Sequence, residues 1–270
     1  MTTQLPGTTP QQGRASHRPK AVPSRPSRAA VGSRSLPPFH LRAGLSVVVP
    51  VYNEVHSLRR VLDRILEQPQ VSELVLVDDG STDGSGDVIR AFGNDSRVVV
   101  RQHATNRGKG AALRTGFAAA TGDFVLVQDA DDEYDPRDYG GLLEPLVRGE
   151  ADVVYGSRWL LGPHARNSHW LHTIGNRVLT AVSNFFTGLD LTDMETCYKA
   201  FHRDALDGME IRSRRFTVEP ELTAKIARRR LRVFEVPISY RARGWNEGKK
   251  IGWRDGVAAL GAIVWFRFRD

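Results

Sequence analysis

The chain has one cysteine, Cys197, in 270 residues. A single thiol excludes an intrachain disulfide framework and suits a reducing compartment. No nucleophile motif surrounds it, so its expected role is packing. Long apolar runs are also missing. The longest candidate, Val257 to Phe266, covers ten residues, against the ~20 a membrane-spanning helix needs. Nothing near the start has the apolar core of a secretory signal. Acidic residues are absent from residues 1–44, which hold seven Lys or Arg and seven of the 14 prolines. That segment has too little apolar content to offset the cost of ordering, and a disordered basic leader is expected. A plain tail, an arm drawn to anionic lipid and a transit peptide are the open readings of it. Its prolines count against the transit peptide, and no nucleic-acid partner is expected. With the leader set aside, the rest carries 31 basic and 31 acidic residues. The net charge of +7 therefore describes the leader and not the folded part.

What is present is 40% hydrophobic, enough for one large α/β domain or two small ones. Leu45 to Val51, Leu74 to Val77, Val98 to Val100, Phe124 to Val127 and Val153 to Tyr155 are short apolar runs of the kind buried on both faces of a sheet. Helical patterns separate them; Leu58, Val61, Leu62, Ile65 and Leu66 share one face. Alternation of this kind predicts a mostly parallel sheet covered by helices, with ligands beyond the carboxyl ends of the strands. Polar clusters follow four of these strands: Tyr52-Asn53-Glu54, Asp78-Asp79-Gly80-Ser81, Asp129-Ala130-Asp131 and Gly156-Ser157-Arg158. Asp129 and Asp131 can share one hard divalent ion, Mg²⁺ or Mn²⁺, with substrate phosphates; a solvated acidic turn is the plain alternative. Later, Trp170 to Phe186 and Glu219 to Arg229 read as helices, Val233 to Tyr240 as extended, and 241–255 as a polar loop. Val257 to Phe266 reads either as a terminal helix docked on the core or as a helix lying in a headgroup region, with Trp265, Phe266 and Phe268.

The order V-V-P-V-Y-N-E, V-D-D-G-S-T-D, G-K-G-A-A-L-R-T-G-F and Q-D-A-D resembles family 2 glycosyltransferases of the GT-A fold. The blocks G-S-R, T-D-M-E-T-C-Y-K-A-F and Y-R-A-R-G-W-N-E-G-K-K-I-G-W-R-D-G are similar to the branch acting on polyprenyl or dolichyl phosphate. The resemblance implies a Rossmann-like three-layer α/β/α domain over residues 45–256, between the leader at 1–44 and the apolar segment at 257–270. It implies donor-binding roles for Pro50, Tyr52, Glu54, Val77, Asp79, Asp129, Ala130, Glu133, Arg243 and Lys249. Asp129 and Asp131 become the metal ligands, Asp131 and Arg158 the reaction centre, and Arg158 with Arg177 the acceptor-phosphate site. The implied partners are a GDP- or UDP-hexose, a polyprenyl phosphate and a membrane surface. The implied location is the cytoplasm, peripheral on the inner face of a membrane.

Two departures stand out. Many relatives carry transmembrane helices after the catalytic domain, where this chain has one short apolar segment. Relatives also often place Leu where this chain has Asp132, a charge expected to face water. Two other readings stay open. One is a soluble family 2 transferase with a hydroxyl acceptor, for which Glu195 or Asp193 would be the base. The other is a binding module without activity. A processive synthase is disfavoured, since Q-x-x-R-W and channel helices are missing.

Overall fold

β-Rich apolar segments alternating with helical patterns call for a parallel sheet, and the chain builds one. The computed structural model describes residues 1–2, 44–160, 170–242 and 253–269. The leader expectation and the candidates Arg243 and Lys249 fall outside these residues. The fold belongs to the unit Pro38–Asp270.

Seven strands form one sheet: β1 (Leu45–Val51), β2 (Val71–Asp78), β3 (Val98–Gln102), β4 (Phe124–Val127), β5 (Val153–Ser157), β6 (Lys199–His202) and β7 (Val233–Pro237). Their order is β3-β2-β1-β4-β6-β5-β7. All pairings are parallel except those of β6, which runs antiparallel between β4 and β5. The helices are α1 (Val55–Leu66), α2 (Ser85–Phe92), α3 (Lys109–Ala119), α4 (Tyr139–Val147), α5 (Trp170–Thr187), α6 (Val218–Arg228) and α7 (Trp253–Phe268). The fold class expected from the sequence is the one observed.

The inner strands are buried along almost their whole length, so they read as continuous apolar runs. The apolar face expected for α1 is the one it buries. Helix α3 approaches β1 closely at Gly116, where a Cβ would lie 2.3 Å from Val48 Cγ1. Strand β6 carried no signal of its own, because Lys-Ala-Phe-His is too short and too polar to show a run. Helix α7 begins at Trp253, so the expected polar loop is shorter at its end and the boundary drawn at 256/257 falls inside a helix.

Two features set the ligand edge. The chain leaves β1 for β2 and β3 on one side, then crosses to β4 on the other, making a switch point between β1 and β4. Because β6 is antiparallel, its N-terminal approach, residues 193–196, lies on the same edge as the C-terminal ends of β4 and β5.

Candidate active site

Every described candidate residue lies in or just after a strand that ends at this edge, except Arg177 on α5. Pro50 is the last residue but one of β1; Tyr52 and Glu54 follow the strand, with Tyr52 partly exposed. Asn53 adopts φ 54° in the tight connection. Its backbone N–H donates to Ser81 Oγ (3.2 Å) and its Oδ1 accepts from Thr82 N (2.8 Å), which ties the loop after β1 to the loop after β2. Ser57 then joins α1 to the acidic segment, donating to Ala130 O (2.8 Å) and lying 3.2 Å from Glu54 Oε2. Glu54 and Ala130, 76 positions apart in the chain, thus share one hydroxyl.

Val77 is wholly buried inside β2. Asp79 is buried too, and its carboxylate organises the neighbouring loop. It lies 2.6 Å from His103 Nδ1 and accepts from Arg107 N (3.0 Å) and Gly108 N (2.6 Å). Gly108 has φ +90°, and a Cβ there would meet Arg214 O at 2.1 Å. The glycine turn is therefore held between Asp79 and the 213–214 backbone.

At the end of β4, buried Gln128 accepts from Tyr139 OH (2.9 Å) and Tyr198 OH (2.6 Å) and orients the backbone before Asp129. Lys109 Nζ lies 2.9 Å from Asp129 Oδ1 and 3.2 Å from Glu219 Oε1. Glu219 in turn pairs with fully buried Lys199. Asp129, Lys109, Glu219 and Lys199 thus form a chain of alternating charge that starts at the acidic pair. Burial works against ionisation of Asp129, but Lys109 outweighs it and the carboxyl pKa is lowered. Burial likewise disfavours the charge on Lys109, and Asp129 above all reverses this, raising its pKa. Asp131 Oδ1 accepts from Glu133 N (3.2 Å), and Glu133 Oε2 accepts from Tyr240 OH (3.0 Å). Cys197 is free and buried, and burial pushes its thiol pKa up.

Asp132 departs from expectation. Instead of facing water it is held by Arg60 (2.8 Å) and Arg64 (2.7 Å) from α1, in a left-handed conformation at φ 61°. A carboxylate one residue beyond the acidic pair, turned outward by that backbone, meets the basic side of α1.

At the end of β5, Arg158 is clamped in bidentate fashion by wholly buried Asp193, through Nε (2.6 Å) and Nη2 (2.7 Å). Asn176 Nδ2 donates to the same carboxylate (2.9 Å). Burial opposes the charge on Asp193, yet Arg158 holds its pKa below the ordinary value. The Arg158 guanidinium also lies against Tyr240 (5.2 Å) and Trp159 (5.8 Å). Arg177, on α5, lies 5.8 Å from the same Trp159 ring. The two arginines expected at the acceptor phosphate therefore flank one indole.

Sequence reasoning assigned no role to Lys109, Lys199 or Glu219, and considered Asp193 only as a base. Lys199 had a readable signal. Apolar Tyr198, Ala200 and Phe201 surround it, too short a stretch to mark a strand but enough to point to burial, and a buried lysine requires a carboxylate.

The sheet order, the antiparallel β6 and the acidic pair at the end of β4 define a GT-A fold. The family model "Glycosyl transferase family 2" matches residues 46–209, and the chain belongs to this family. It is 32% identical to polyprenol monophosphomannose synthase of Mycolicibacterium smegmatis, over 76% of this chain and 80% of that one. It is also 32% identical to undecaprenyl-phosphate mannosyltransferase of Micrococcus luteus, over 81% of this chain and 92% of the relative. Among solved structures, glucosyl-3-phosphoglycerate synthase of Mycobacterium tuberculosis with Mg²⁺ and UDP superposes with a TM-score of 0.63 at 23% identity. That match covers 83% of this chain and 77% of the other, and shows the shared fold. The protein is a glycosyltransferase.

Proposed function

We propose that this enzyme transfers one hexose, mannose or glucose, from a GDP- or UDP-sugar to a polyprenyl phosphate, with inversion at the anomeric carbon. One observation carries the reading. An acidic pair and a guanidinium end the two strands that flank β6, and the carboxylate nearest the guanidinium is already paired. Of the two candidate bases for a hydroxyl acceptor, Asp193 is a poor one because Arg158 lowers its pKa, which leaves only Glu195. A phosphate acceptor needs none, because its second pKa is ~6 and it is largely ionised at neutral pH.

Asp129 and Asp131 fit a hard divalent ion such as Mg²⁺ or Mn²⁺. Both are partly exposed carboxylates at one strand end, and two carboxylates plus phosphate oxygens are a usual set for Mg²⁺. Among the described residues no group of three or more His, Cys, Asp or Glu side chains is placed to hold a metal alone, so donor oxygens would complete the shell. Such an ion, when bound, supplies charge stabilisation for the departing nucleoside diphosphate. Lys109 adds a cation beside Asp129. Arg158, its plane fixed by Asp193, presents its Nη1 edge to the acceptor phosphate, with Arg177 beyond the indole. A phosphate oxygen forms the new bond to the anomeric carbon while the old C–O bond breaks, its electron pair leaving with the diphosphate. The family likeness and the two relatives named for polyprenyl-linked acceptors support this reading.

The same reading places the enzyme on the cytoplasmic surface of a membrane. No described helix is long and apolar enough to cross one. Helices α5 and α7 pack together, with Phe186 and Phe268 ring centroids 6.4 Å apart. Both carry exposed apolar stripes: Ile174, Val178 and Phe185 on α5, and Val257, Leu260, Val264, Trp265 and Phe268 on α7. Arg269 lies over the Trp265 ring at 4.5 Å, an aromatic–basic edge suited to anionic headgroups.

The test is a panel of GDP- and UDP-hexoses with membranes containing polyprenyl phosphate and Mg²⁺, followed by extraction of lipid-linked product. One donor should give product, and Asp131→Ala or a chelator should abolish it. Transfer to sugar alcohols with none to lipid phosphate would overturn the acceptor assignment.

A further inference from the structure

Four buried side-chain polar atoms among the described residues have neither a hydrogen-bond nor an ion-pair partner: Trp159 Nε1, Asn176 Oδ1, Glu195 Oε1 and Thr196 Oγ1. They are not scattered. Trp159 follows β5, Asn176 donates to Asp193, and Glu195 and Thr196 precede β6. Three of the four stand in segments at the ligand edge, and Asn176, on α5, reaches it through Asp193. Buried polar groups without partners are uncommon, and each asks for an explanation. The set mixes a pure donor, the indole N–H, with an acceptor on Asn176 and with groups able to do both. A polyhydroxylated ligand matches such a set, since each hydroxyl donates and accepts.

Glu195 stands at the centre. Residues 193–196 approach antiparallel β6 between Asp129, after β4, and Arg158, after β5. Charged neighbours reach it from every side: Glu219 from α6, Lys199 from β6, Arg158 from the end of β5, and Asp193 in its own segment. Glu219 is answered by two lysines and Asp193 by Arg158, so both are compensated anions. Glu195 has no such partner among the described residues. Burial and the Glu219 charge push its pKa up to about 7, with Lys199 and Arg158 pulling the other way. It is thus substantially protonated near neutral pH and able to donate as well as accept.

We propose that Glu195 reads the sugar in transit, hydrogen-bonding a hydroxyl of the hexose held between Asp129 and Arg158 and setting which epimer is transferred. This rests on the transferase reading above and adds to it a specificity-determining residue. The role differs from that of a general base. A base needs the carboxylate, whereas hydrogen bonding to a hydroxyl is also available to an amide.

The experiment compares the full chain with Glu195→Ala, Glu195→Gln and Glu195→Asp. It measures kcat/KM for the accepted nucleotide-hexose and for its epimers, and the Kd of the matching nucleoside diphosphate alone with Mn²⁺. Glu195→Ala should lower kcat/KM for the accepted sugar about 30- to 100-fold and leave the epimers within about threefold, so that selectivity collapses. The Kd of the nucleoside diphosphate should move less than about twofold. Glu195→Gln should keep transfer within about tenfold of the parent. If Glu195→Ala does not fold, Glu195→Asp should change the epimer ratio with a native near-UV circular dichroism spectrum. Undiminished selectivity in the alanine and aspartate variants overturns the proposal. So does a glutamine variant that loses kcat while keeping KM, since that marks a base. A parent enzyme that transfers no sugar from any donor overturns the transferase reading itself and takes this inference with it.

Discussion

Lys109 lies between Asp129 and Glu219, one cation shared by a strand end and a helix start. Asp129 therefore has its charge answered within the protein, and chelating divalent ions should stop transfer while leaving the melting temperature of the ligand-free enzyme within about 1 °C, as checked by calorimetry with and without EDTA. Replacing the cation tests the same point from the other side. Lys109→Met leaves Asp129 without its cation and Glu219 with Lys199 alone, and should cost about 3–5 kcal/mol in urea unfolding. Two acids with opposite shifts give a pH signature. The folded pKa of Asp193 is below its ordinary value, so its contribution is complete above about pH 4 and is lost as pH falls through the folded value. Glu195 has the reverse sign. Its pKa is raised to about 7, so the folded state keeps a proton that the unfolded chain releases from about pH 4.5 upward. Stability should therefore decline between about pH 4.5 and 7 and level off above. Glu195→Gln should remove that slope and be more stable than the parent at pH 8 by about 1–3 kcal/mol, read from urea melts at pH 5 and pH 8.

Among the elements, α7 has one buried face and one exposed face. Ala259, Ala262, Ile263 and Phe266 are buried, and Phe266 forms a small cluster with Ala262 and Ala224 of α6. Phe266→Ala should destabilise by about 3 kcal/mol, measured by urea unfolding. The other face is exposed, with Trp265 at 54% and Phe268 at 73%. Trp265→Ser with Phe268→Ser should leave the unfolding midpoint nearly unchanged and weaken co-sedimentation with anionic vesicles at least tenfold. Short apolar length excluded a membrane-spanning reading of this segment from the sequence, but could not separate docking from lying on a surface. The structure shows why both readings had support: an element apolar nearly all round buries one side and leaves the other exposed. Helix α5 adds a second exposed stripe that its mixed sequence did not announce, because Asn176 and Arg177 interrupt the pattern beside Ile174 and Val178.

At the scale of the whole molecule, residues distant in sequence meet because of the order in which strands join the sheet. Alternating apolar runs were enough to determine the α/β class, the parallel β1–β4 core and the polar ends of its strands, because burial on both faces leaves a local mark in each segment. The acidic pair, Glu54 and Arg158 were legible for the same reason: each directly follows such a run. Pairings across the chain had no local mark. Arg158 with Asp193, Lys109 with both Asp129 and Glu219, and Asp132 with Arg60 and Arg64 arise from residues up to 110 positions apart. The insertion of β6 between β4 and β5, in the opposite direction, decided that residues 193–196 would stand between the two charged strand ends. Periodicity reports which side of an element is buried. Which strand lies beside which, and so which charges neutralise one another and which carboxyl is left without a partner, follows only once the sheet has formed.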